Sequence, residues 1–125
     1  MAHRSRLSTF LIDTPEPAAA AAFWSEALGV PARPVPGEEQ FTSLRGALPD
    51  HVLAVQAIEG EARYHFDIET DDVAAETERL LALGAVEVGR WLECVTLRAP
   101  GGHLLCVIPV HSDPDTFERL SRAWE

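Results

Sequence analysis

Apolar and polar positions change period along this chain in a fixed order, and the order is repeated. Leu7 to Ile12 reads as a strand, after which Asp13 or Thr14 is placed to cap a helix carrying Pro15 in its first turn. Ala20, Phe23, Trp24, Ala27 and Leu28 then recur at helical spacing and predict one apolar face, closed by Gly29. Pro31, Pro34 and Pro36 force an extended, edge-like passage. Short strands are expected near Ala32 to Val35, Gln40 to Leu44 and Val52 to Ile58, separated by turn signals at Gly37, Gly46 and Pro49-Asp50.

The second round opens with partial alternation from Tyr64 to Glu69, and Asp71 or Asp72 caps the next helix. Val73, Thr77, Leu80, Leu81 and Gly84 define its expected buried face. Strands are predicted over Val86 to Trp91, Glu93 to Leu97 and His103 to Ile108, with a tight turn at Pro100-Gly101-Gly102. A last helix is expected over 113–124, starting at Asp113-Pro114 and presenting Phe117, Leu120, Ser121 and Trp124 on one side.

The repeat is visible in the residues themselves. Phe10-Leu11-Ile12-Asp13-Thr14 returns 56 residues later as Phe66-Asp67-Ile68-Glu69-Thr70, and each helix ends in Leu-Gly. Halves of this size bury too little surface to be stable alone, so one domain over 1–125 is expected, with module one at about 7–58 and module two at about 63–110. The fold class is α+β, strand, helix and three strands performed twice, with a short C-terminal helix.

These segments carry a resemblance. Thr14-Pro15-Glu16-Pro17 leading into Ala22-Phe23-Trp24-Ser25-Glu26-Ala27-Leu28-Gly29, then Tyr64 to Asp72, then Arg98-Ala99-Pro100-Gly101-Gly102-His103-Leu104-Leu105-Cys106 resemble the vicinal oxygen chelate superfamily of glyoxalase I, bleomycin resistance proteins and extradiol dioxygenases, and within it the small actinobacterial glyoxalase-like domains. The resemblance implies two paired βαβββ modules whose mixed sheets curl around a cleft, and a homodimer. It also implies up to four metal-ligand positions, which fall on Thr9 and His65 in the first strands and on Gln56 and Cys106 in the last. Two spacings agree with this assignment: His65 follows Thr9 by the repeat's 56 residues, and Leu105-Cys106-Val107-Ile108 follows Val55-Gln56-Ala57-Ile58 by 50.

One imidazole, one amide, one hydroxyl and one thiol make a weak set for a hard divalent ion. Where the family's metal enzymes carry Glu, this chain has Gln56 and Cys106. His65 is the one good ligand, and two soft donors fall short of the three or four that zinc takes. The expectation is therefore no resident cofactor, with a divalent metal as the alternative. Thr9, Gln56, His65 and Cys106 are expected to line a small-molecule pocket, with Trp91 placed to stack on a flat ligand although core packing is its ordinary role. No residue is assigned a catalytic role. A Cys106 thiol paired with His65 would need geometry the sequence does not give.

Charge and composition narrow the functions. Twenty acidic and ten basic residues give a formal net charge of −10, which argues against a nucleic-acid partner and for a cationic small molecule. All ten basic residues are arginine, so Schiff-base, phosphate-loop and general-base lysine chemistry are excluded. With two cysteines and no signal sequence at Met1-Ala2-His3-Arg4, a cytoplasmic protein with reduced thiols is expected. No apolar run reaches the roughly 20 residues of a membrane helix. Three functions stay open: a metal-free binding protein for a small organic molecule, as in drug sequestration; a glyoxalase-like lyase, isomerase or dioxygenase; and a structural or regulatory module.

Overall fold

The computed structural model describes residues 2–125 and contains nine strands and three helices in a mixed α+β arrangement. Met1 lies outside the described residues. The elements are β1 (His3–Thr14), α1 (Pro17–Leu28), β2 (Ala32–Val35), β3 (Glu38–Leu44), β4 (Val52–Ala57), β5 (Arg63–Thr70), α2 (Val73–Ala82), β6 (Val86–Trp91), β7 (Cys94–Arg98), β8 (Leu104–Pro109), α3 (Pro114–Leu120) and β9 (Arg122–Trp124). Two compact units result, a middle one of residues 9–65 and a flanking one of residues 1–8 and 66–125. The boundaries differ from the sequence modules because β1 and β5 each contribute to both units.

In the middle unit the strand order is β2-β3-β4-β1, with β1 and β4 parallel and the other pairs antiparallel. Register decides which side chains share a face, since directly opposite residues point the same way. Ile12, Leu44 and Val55 form the core on the side covered by Ala20, Ala21 and Trp24 of α1. Gly29 ends α1 at φ 69°, a left-handed conformation that glycine adopts without a Cβ penalty. At the other end Asp13 is not the cap. Nor is Thr14: both remain in β1, Glu16 holds the cap position without a side-chain hydrogen bond, and Pro17 rather than Pro15 lies in the first turn, while the Thr14 hydroxyl accepts from Glu16 N at 3.0 Å in the turn before the helix.

The flanking unit repeats the plan with β5-β8-β7-β6, where β5 and β8 are parallel. Val95, Leu97 and Val107 make its core beneath Val73 and Leu80 of α2. Asp72 caps α2 by accepting from Ala75 N at 3.0 Å. Leu81, expected on the buried face, is exposed, while Glu76 is fully buried. Burial alone would push the Glu76 carboxyl up. Hydrogen bonds from Arg79, His3 and Ser5 outweigh burial and hold it below its ordinary value.

Two terminal elements differ from expectation. β1 begins at His3 rather than Leu7, because His3 to Ser5 pair with β9 in antiparallel register and Arg4 O accepts from Asp71 N and Thr70 Oγ1. The C-terminal helix stops at Leu120, and Trp124, expected on its face, lies on β9. There the Trp124 indole donates to Ser5 Oγ at 2.8 Å and carries the Arg79 guanidinium 3.9 Å from its ring centre. Those long-range partners outweigh the local helical spacing. No described helix is long and apolar enough to cross a membrane.

Candidate functional site

The face of the middle unit away from α1 brings Asp13, Gln56 and Phe41 together. Asp13 on β1 stands opposite Gln56 on β4, and Gln56 stands opposite Phe41 on β3, so carboxylate, amide and phenyl ring occupy one row across three strands. At the end of that row His65 Nδ1 lies 2.5 Å from Asp13 Oδ2, with Arg63 Nε at 3.4 Å from the same oxygen. The next row along the strands is Leu11, Ala54 and Ser43.

Asp13 is the unusual member. Its side chain is 0% exposed, yet among the described residues Oδ1 has no hydrogen-bond partner. A buried polar atom left unpaired costs about 1–3 kcal/mol, more when charged, and buried polar atoms ordinarily have a protein, water or ligand partner. With the carboxylate as acceptor, His65 donates through Nδ1. A side chain 11% exposed with Nδ1 tied to a buried carboxylate is held in orientation, as a general base must be.

The flanking unit holds the counterpart. Glu69, 56 residues after Asp13, is also 0% exposed, but both oxygens are satisfied: Oε1 accepts from His111 N at 2.9 Å and Ser112 N at 3.0 Å, and Oε2 accepts from Ser112 Oγ at 2.6 Å with Arg6 Nη1 at 3.4 Å. Burial pushes this carboxyl up. The Ser112 hydroxyl, the two amides and the His111 ring outweigh that and bring it below its ordinary value of 4.5.

The residues expected from sequence fall at different places. Gln56 and His65 are both placed beside Asp13. Thr9 is buried four residues earlier on β1, opposite Val52, so the residue facing Gln56 is Asp13 rather than Thr9. Cys106, half-buried on β8, is opposite Asp67, with its Sγ 3.4 Å from Thr96 Oγ1. Trp91 is 58% exposed and pairs with Cys94. The offset of 50 that equated Gln56 with Cys106 is two residues short: Asp13 faces Gln56 while Glu69 faces Ile108, so Cys106 corresponds to Ala54.

Asp13, Arg63, Phe41 and Asp67 were not among the expected residues. Asp13 was legible in one respect, since the repeat sets it against Glu69, but its cap-like position ahead of a proline concealed it. Asp67 matters for the metal question. It follows His65 by two residues on β5, hence on the same side of that strand, and faces Cys106 across the β5–β8 pair. A metal on His65 would take Nε2, with Asp13 as the outer carboxylate that fixes the ring.

A glyoxalase-like domain profile matches residues 9–108. The chain belongs to that family. No curated protein matches it. Among solved structures, a hypothetical protein from Bacillus halodurans C-125 superposes with a TM-score of 0.60 at 11% identity, covering 87% of this chain and 96% of that one. Methylmalonyl-CoA epimerase from Mycobacterium tuberculosis gives 0.53 at 14% identity over 84% and 88% of the two chains. The Streptomyces coelicolor epimerase, solved with 2-nitronate-propionyl-CoA, gives 0.55 at 15% over 87% and 98%. At these identities the likeness concerns the fold.

Proposed function

We propose that this glyoxalase-like protein binds a small organic molecule on the Asp13–Gln56–Phe41 row, through a hydroxyl or N–H group that donates to Asp13 Oδ1, without a tightly bound metal. The buried, half-satisfied carboxylate carries the reading, because a donor from a ligand is what that oxygen lacks. Gln56 offers both donor and acceptor, and Phe41 an apolar surface for the body of the molecule. The formal charge of −10 favours a cationic ligand, as in drug sequestration. The reading needs neither Cys106 nor Trp91, and Thr9 stands two rows away. A homodimer in the cytoplasm is part of the same proposal.

Ligand-observed NMR with benzyl alcohol, benzylamine and ethylbenzene tests it. The two donor-bearing probes bind, ethylbenzene does not, and Asp13→Asn weakens binding about tenfold, the loss of one charge-assisted hydrogen bond. Equal binding of all three, unchanged in the variant, refutes the reading.

A metal-dependent lyase, isomerase or dioxygenase is the second reading, favoured by the donors that β5 and β8 carry at His65, Asp67 and Cys106. Imidazole, carboxylate and thiolate are all groups that zinc accepts, and a bound ion would supply Lewis-acid polarisation of a substrate oxygen. Elemental analysis of protein purified without added metal decides between them. Stoichiometric zinc, nickel, manganese or iron, lost together in Asp67→Asn and Cys106→Ala, replaces the first reading with the second.

A further inference from the structure

Beyond Asp13 the polar row ends in a positive charge. Arg63 and His65 lie on β5, which follows β1 in the sheet order, while Gln56 and Phe41 lie on β4 and β3 on its other side. The Arg63 side chain is 51% exposed and meets Asp13 Oδ2 through Nε alone, at the long distance of 3.4 Å. Among the described residues its Nη1 and Nη2 have no partner. A guanidinium presents its N–H donors in a planar fork, so two open Nη groups can take both oxygens of a carboxylate.

Three kinds of group therefore follow one another across the strands: an open guanidinium, a buried carboxylate with one oxygen unpaired among the described residues, and an amide beside a phenyl ring. Neighbouring strands are about 4.8 Å apart, so Phe41, two strands away, stands about 10 Å from Asp13. A ligand that matches all three carries an anion, then a cation, then an apolar body. Charge discriminates as well. A simple amine on Asp13 sets its cation against the Arg63 guanidinium, and a simple carboxylic acid on Arg63 sets its anion against Asp13. A molecule bearing both groups answers each with its opposite. The formal charge of −10 is a long-range field that salt screens, whereas this pair acts at contact.

We infer that the row takes a zwitterionic α-amino acid with a large apolar side chain. Its ammonium donates to Asp13 Oδ1, its carboxylate seats on Arg63 Nη1 and Nη2, and its side chain crosses Gln56 toward Phe41. This rests on the ligand reading proposed above and adds to it a second charged contact and a reach. An α-amino acid bears both charges on one carbon, which suits protein groups that are themselves only 3.4 Å apart. An ω-amino acid separates them by a chain and does not. Arg63 sets the specificity, since without it the row selects only for a donor and an apolar body. Phe41 sets the length, because a side chain as short as glycine's leaves the ring uncovered.

The test is isothermal titration of the full chain with four probes that differ by one group. These are L-phenylalanine, 2-phenylethylamine, which lacks the carboxylate, 3-phenylpropanoate, which lacks the ammonium, and glycine, which lacks the apolar body. L-phenylalanine binds about tenfold or more tighter than each of the others, the worth of one charge-assisted contact. Arg63→Gln weakens L-phenylalanine about tenfold and does not weaken 2-phenylethylamine, because the amine only loses a repulsive neighbour. Asp13→Asn weakens both, and circular dichroism melts verify that the variants are folded. If 2-phenylethylamine binds through Asp13 while L-phenylalanine binds no tighter, or is indifferent to Arg63→Gln, the amino-acid inference is overturned and the ligand reading stands. If no probe binds, or binding ignores Asp13→Asn, both are overturned.

Discussion

Asp13 and Glu69 occupy the same place in the two copies of the repeat, and both are completely buried, yet their surroundings differ. Around Glu69 two backbone amides, a hydroxyl and an arginine leave no oxygen unanswered. Around Asp13 an imidazole and a half-exposed arginine share one oxygen, and among the described residues the other has no partner. A saturated buried carboxylate organises the chain, here joining β1, β5 and the segment after β8. An unsaturated one leaves a buried acceptor without its hydrogen bond, which on the proposed reading a ligand supplies. The repeat supplies two equivalent carboxylate positions on one backbone plan, and the side chains around them satisfy one and leave the other half satisfied.

The largest expected effect tests the Glu69 half. Glu69→Ala leaves Arg6, two amides and a hydroxyl buried without their acceptor and lowers stability by about 3–5 kcal/mol, measured by urea unfolding. A loss of under about 1 kcal/mol would erase the contrast with Asp13.

Acid gives the next largest effect. Glu69 and Glu76 both titrate below the ordinary 4.5 in the folded protein, so their stabilisation is fully present above that pH. It is lost as pH falls through the depressed folded values, since the unfolded chain takes up protons first. Urea midpoints measured from pH 7 downward stay level and then fall below about 4.5, and Glu69→Gln flattens that acid limb.

The smallest effect is expected at Asp13. Asn keeps an acceptor for His65 and removes a charge that the fold only half satisfies, so Asp13→Asn changes stability by less than about 1 kcal/mol. Paired with loss of probe binding, a near-neutral stability marks a residue kept for a ligand. A loss as large as that of Glu69→Ala would make the two carboxylates alike.

Much of this was legible before any coordinates. Asp72 and Asp113 cap helices because a short acceptor ahead of an apolar run has few other uses, and Gly29 stops α1 where a left-handed residue is needed. What escaped was long-range. His3 to Ser5 are polar and show no strand signal, yet they form strand because β9 and Arg4's partners at Thr70 and Asp71 take up their backbone groups. Trp124 has helical spacing to Leu120 and lies on a strand, since its indole finds Ser5 and Arg79. The bulge at Val88, which sets the faces of β6, has no local signature beyond Gly89.

By itself the sequence determined the order of elements up to the last helix, the duplication and the caps of α2 and α3, because hydrophobic period and turn chemistry are local properties. Only the tertiary structure decided which side chains meet. A shift of two residues in strand register leaves the pattern of faces intact while replacing every neighbour, so no spacing could say that Gln56 faces Asp13 or that Cys106 faces Asp67.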